Sequence, residues 1–66
     1  MKDELVRRLK ERMADEYADV HTYHDLVHKA KELGDDFAAW YLERIMHDEK
    51  THAEALKEVV EEMEKD

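Results

Sequence analysis

The chain has no cysteine and no proline, and a single glycine, Gly34. Without cysteine it can form neither a disulfide nor a thiolate metal site. Without proline, and with one glycine near its middle, it offers few places to turn. That pattern predicts two long helices joined once. No stretch approaches the roughly 18 apolar residues that a membrane-spanning helix needs. A basic leader followed by an apolar stretch is missing as well, so no ordinary secretory signal is read. Positive charge is scarce: 11 Lys and Arg stand against 19 Asp and Glu, a formal net charge of −8. Nucleic acid and anionic membranes are therefore poor partners. The expected location is the cytoplasm, which a chain without cysteine suits.

What the chain has is helix-forming residues: Ala, Leu, Glu, Lys, Arg and Met recur throughout. Its 66 residues make one small domain, and a chain of this size buries only about 60% of its unfolded surface. The expected class is all-α. The first helix is expected over about residues 2–33, with a stripe of Leu5, Leu9, Met13, Val20, Tyr23, Val27 and Ala30. The steps are three or four apart except for one gap, which Glu16 fills. Tyr17, Leu26 and Leu33 widen the stripe. Gly34 suits the left-handed position that ends a helix, and Asp35 or Asp36 can cap the next. The turn is expected over 34–36 and the second helix over about 37–63. Its stripe is Ala38, Tyr41 or Leu42, Ile45, Glu49, His52, Leu56, Val59 and Met63. These widened stripes, with Phe37 and Trp40 near the turn, exceed what one seam can hide. An antiparallel hairpin that dimerises into a four-helix bundle is the expected architecture.

Both stripes are interrupted by polar residues, and the interruptions coincide in height. At about 1.5 Å of rise per residue, Glu16 and His52 each lie roughly 27 Å from the turn. Glu49 is one turn nearer, at about 22 Å, on the face of His52. One hairpin thus brings two carboxylates and one imidazole to one level. Two hairpins bring four and two, and four buried carboxylates need cations among them. Glu-x-x-His alone is common on helix surfaces, so spacing by itself also admits ordinary exposed residues. Three interruptions at one level favour a metal site.

The segment "ADEYADVHTYHDLVHKAKELGDDFAAWYLERIMHDEKTHAEAL" resembles the ferritin-like di-iron carboxylate superfamily. That plan takes one Glu from each of two helices and Glu-x-x-His from each of the other two. "DEKTHAE" matches the second element through Glu49 and His52, and Glu16 matches the glutamate of the preceding helix. Tyr23 resembles a tyrosine near the metal, although Thr22 stands before it where tryptophan is expected. The half-length chain looks most like the encapsulated ferritins, and more distantly like rubrerythrins, whose iron–sulfur module needs cysteines that this chain lacks. The resemblance implies a ferroxidase with two iron ions per dimer, Zn or Mn being possible substitutes. It further implies a ring of dimers inside an encapsulin-type protein nanocompartment, and Glu16, Glu49, His52 and Tyr23 as the working residues. A rubrerythrin-like peroxidase or oxidase is the neighbouring activity. A metal-stabilised helical dimerisation module without catalysis is the alternative of another class.

Other residues carry weaker signals. His24 and His28 are four apart and could share an ion, with His21 nearby, but solvated histidines in an acidic protein are the simpler reading. His47 points almost opposite Glu49 and is left out of the site. Asp19, one turn beyond Glu16, is a candidate for the approach path of a cation. Trp40 and Tyr41 read as packing groups for a partner. Thr51, followed by Glu54, mimics a helix start, yet the periodicity runs through it.

Overall fold

A computed structural model describes residues 2–65. Helix α1 runs Lys2–Glu32 and helix α2 Asp36–Glu64, with no strand among the described residues. The turn follows from its three residues. Gly34 adopts φ 73, a left-handed conformation that costs a side-chain-bearing residue about 1–2 kcal/mol. Its N–H donates to the Lys31 carbonyl at 3.0 Å, and the Asp35 N–H donates to Ala30 at 2.9 Å, closing the end of α1. The Asp35 side chain then accepts from the Ala38 N–H at 2.9 Å, so Asp35, not Asp36, caps α2.

The helices pack antiparallel into a rod of 50 × 14 × 12 Å. Its radius of gyration is 15.1 Å, where a compact chain of this length would reach about 11 Å. The rod is two helices wide and one layer thick. Its seam buries Val6, Val27 and Ala30 of α1 against Ala39, Ala53 and Val60 of α2. Ala53 is wholly inaccessible, and no large side chain among the described residues is fully buried. Two exposed ion pairs tie the ends together, Lys10–Glu64 and Lys31–Glu43, both at 2.9 Å. Each is worth at most about 1 kcal/mol.

The seam differs from the expected stripes by a rotation. On α2 it follows Ala39, Leu42, Met46, Glu49, Ala53, Leu56, Val60 and Met63, while Ile45, His52 and Val59 are exposed beside it. On α1 Val6 replaces Leu5, which is 49% exposed. The reason is steric. Small Ala39 and Ala53 let the backbones approach, and a larger side chain there would hold them apart.

The displaced residues fall into rows of their own. Leu5, Arg12, Asp19 and Leu26 recur every seven residues on α1, with Leu33 continuing the row in the turn, and Ala38, Ile45, His52 and Val59 do so on α2. Because the chain reverses direction, both rows lie on the same flank of the hairpin. That flank is polar in the middle and apolar towards its ends, where Leu26, Ile45 and Val59 are 39%, 38% and 45% exposed. No helix among the described residues is long and apolar enough to cross a membrane.

Candidate metal centre

Glu16 is the one charged side chain buried in the seam among the described residues. Regular helix on either side places it there, between Met13 and Val20. Its two oxygens have different surroundings. Oε1 accepts a hydrogen bond from Arg12 Nη2 at 2.8 Å. Oε2 is buried and has no hydrogen-bond partner, with His52 Nδ1 3.9 Å away. Glu49 enters from α2, half-buried. Glu16, Glu49 and His52 each offer a donor atom, and the three atoms lie within 4.8 Å of one another. Among the described residues no other three potential ligands converge so closely.

The carboxylates share their charge unequally. Glu16 is held below its ordinary value, first by the adjacent Glu49 carboxyl and then, against burial, by the charges of Arg12 and His52. Glu49 is pushed up by that same contact, by burial, and by the negative charges of Glu16 and Asp19. Two ionised carboxylates cannot hydrogen-bond each other. A proton would be needed on one of them, and the opposed shifts favour Glu49 as its holder. A cation between the two carboxyls would relieve the same crowding of charge.

The three residues singled out as ligands therefore do come together, although they reach the cluster differently. Glu16 and Glu49 lie in the seam. His52 is exposed, its side chain 61% accessible, and leans in from the flank. Tyr23 is half-buried in α1, two turns beyond Glu16. Asp19 is half-buried and close enough for its charge to act on Glu49. His47 is exposed and lies in a depression with Trp40, Glu43, Arg44 and Asp48, away from the cluster. The helix continues through Thr51, whose hydroxyl donates to the His47 carbonyl at 3.0 Å. Trp40 meets Tyr41 edge-on at 4.8 Å, with Arg44 stacked over it at 4.7 Å.

Arg12 is the residue that the sequence reading missed. Its signal was present, since Arg and Glu four apart on a helix readily pair. The guanidinium bridges Asp15 at 3.3 Å and Glu16 at 2.8 Å. It covers one oxygen of the buried carboxylate with a fixed positive charge.

A Glu₂His donor set suits divalent iron, zinc or manganese. It fills only part of any such ion's coordination shell, and one side of the cluster faces the exposed flank. Compared with protein-family models, curated proteins and solved structures, the chain matches none. The two-helix hairpin with its carboxylate–histidine cluster is compatible with half of a ferritin-like bundle.

Proposed function

We propose that two copies of the chain pack through the flank bearing Ile45, His52 and Val59 into a ferritin-like four-helix bundle, and that the bundle is a ferroxidase. The observation carrying this reading is the buried Glu16 oxygen, without a hydrogen-bond partner and grouped with donors of Glu49 and His52. A buried acceptor left unsatisfied costs about 1–3 kcal/mol, and more if charged. A cation satisfies it.

The position of the cluster supports a symmetric dimer. Glu16 sits halfway along α1 and Glu49 to His52 halfway along α2. A two-fold axis across that level overlays both hairpins along their whole length and brings the two clusters face to face. The polar middle of each flank meets its copy there, while Leu26, Ile45 and Val59 find cover above and below. Four carboxylates and two imidazoles then surround two divalent ions, and the formal charges of ions and carboxylates cancel.

In this reading Fe(II) is the substrate. Glu16 and Glu49 bind it as carboxylates, so any proton on Glu49 leaves on loading. His52 supplies a neutral nitrogen donor. Each of two Fe(II) ions loses one electron, and dioxygen takes up both electrons with two protons to leave as hydrogen peroxide. Peroxide as oxidant takes two electrons and two protons to give water. Arg12 must release Glu16 for the carboxylate to bind an ion through both oxygens. Tyr23, half-buried on the same helix, is assigned a hydrogen-bonding or electron-donating role beside the centre.

Oxygen consumption on adding Fe(II) to the metal-free protein tests the activity. Catalysed uptake that disappears in Glu49→Ala supports a ferroxidase. Tight Zn(II) or Fe(II) binding with no oxidation above the buffer rate assigns the chain instead to a metal-stabilised dimerisation module.

A further inference from the structure

The opposite flank of α1 carries a second group of metal-binding side chains. His24 and His28 are one helical turn apart and both project into solvent, with side chains 73% and 72% accessible. They border the groove between the helices together with Val27, Lys31, Glu43 and Met46. Each ring has a carboxylate beside one nitrogen. Asp25 Oδ1 is 3.9 Å from His24 Nδ1, and Glu32 Oε1 is 3.4 Å from His28 Nε2. Each contact places a negative charge beside its ring, which favours a cation there. The other nitrogen of each ring, His24 Nε2 and His28 Nδ1, remains for an ion.

We propose that His24 and His28 form a second, independent site for a nitrogen-seeking divalent transition ion of the Cu(II) and Zn(II) class. Residues four apart on a helix face one another at about 5–6 Å between Cβ atoms, a span that one ion bridges through two imidazoles. Water completes its shell, since no third donor among the described residues converges there. The ligand set is nitrogen-rich, where the Glu16 centre is oxygen-rich. It therefore favours Cu(II) and Zn(II) over Fe(II), in line with the general order of divalent affinities. The acidic chain, at −8, raises the local concentration of any cation. Lying away from the Ile45–Val59 flank, the pair stays open in the proposed dimer.

Cu(II) titration of the full chain followed by electron paramagnetic resonance tests this, because the spectrum counts nitrogen ligands. A signal with two nitrogens is expected, in wild type and equally in Glu16→Ala. It should weaken on the order of 10- to 100-fold in affinity in either His24→Ala or His28→Ala, because losing one arm removes the chelate. Both side chains are exposed, and circular dichroism checks that the variants remain helical. Unchanged copper binding in both histidine variants overturns the proposal. So does a two-nitrogen signal that vanishes only in Glu16→Ala. The outcome is separate from that of the iron centre, which Fe(II) oxidation by the His28→Ala variant reads directly.

Discussion

His52 Nδ1 and Glu16 Oε2 lie 3.9 Å apart across the seam, one exposed on α2 and the other buried in α1. The contact joins the flank to the interior. An ion held there touches both the buried carboxylate and the surface that a second chain would cover. Removing either residue should act on binding and assembly together. His52→Ala should weaken iron binding and slow oxidation near neutral pH. His47→Ala should leave both intact, because His47 belongs to the Trp40 depression. Iron-edge anomalous diffraction of both variants checks this, and iron lost in His47→Ala but kept at full occupancy in His52→Ala would overturn the assignment.

Glu49→Ala removes two ligands from the proposed shared centre. Activity should fall by more than the roughly 10- to 100-fold that losing an outer-shell partner costs. Near neutral pH the metal-free variant should melt no lower than wild type, because a negative charge crowded against Glu16 has gone. Parallel turnover and melting curves read both effects. Full turnover in this variant excludes Glu49 from the centre.

Arg12 competes with the ion for Glu16. Arg12→Gln should therefore bind Fe(II) or Zn(II) more tightly, while its metal-free form melts lower because Glu16 keeps its charge without a cation. Calorimetry with Zn(II) and a metal-free melt measure the two effects. Equal or weaker binding in this variant removes Arg12 from that role.

The raised Glu49 and the lowered Glu16 give the protein an opposed pH response in its two states. Loading with metal expels any Glu49 proton, so affinity should climb as pH rises through the raised Glu49 value. In the metal-free protein that group contributes stability fully present below 4.5 and lost as pH rises through its raised value. Glu16 contributes in the other direction, above 4.5, and loses its contribution as pH falls through its lowered value. The pair is most stabilising between the two values. Glu49→Gln should abolish the decline on the upper side. Metal-free melts from about pH 4 to about pH 8 give the comparison, and identical profiles for the variant and wild type contradict the shared proton.

The seam and the flank respond differently to substitution. Ala53 is fully enclosed, so Ala53→Leu should destabilise the hairpin by about 1–3 kcal/mol. Val59, 45% exposed, tolerates a charge in the hairpin itself. Val59→Glu should leave the helix content unchanged and weaken association. Denaturant melts and sedimentation velocity distinguish the two. The reverse pattern would exchange seam and flank.

That exchange is the part of the fold that the sequence hid. The two helices, the Gly34 turn and the common level of Glu16, Glu49 and His52 follow from spacing and punctuation. The rotation of α2 does not. Ile45, His52 and Val59 fit a helical stripe as well as Met46, Ala53 and Val60 do, and larger side chains dominate any reading by hydrophobicity. What decides is which residues the two helices enclose, with small Ala39 and Ala53 at buried positions, a property of two helices together. A bundle in which each helix carries two adjacent rows has two valid stripes, and a single chain fills only one. Arg12 escaped for a related reason: an i,i+4 ion pair is common on helix surfaces, and only the burial of Glu16 gives this one a consequence.

The central claim is that one chain holds half a centre and two chains hold a whole one. Native mass spectrometry after anaerobic loading with Fe(II) counts chains and ions in the same particle. The account predicts assemblies with an even number of chains carrying one iron per chain, and loss of that iron in Glu49→Ala and His52→Ala. A single chain carrying its own iron, or a dimer whose iron survives both substitutions, would contradict it.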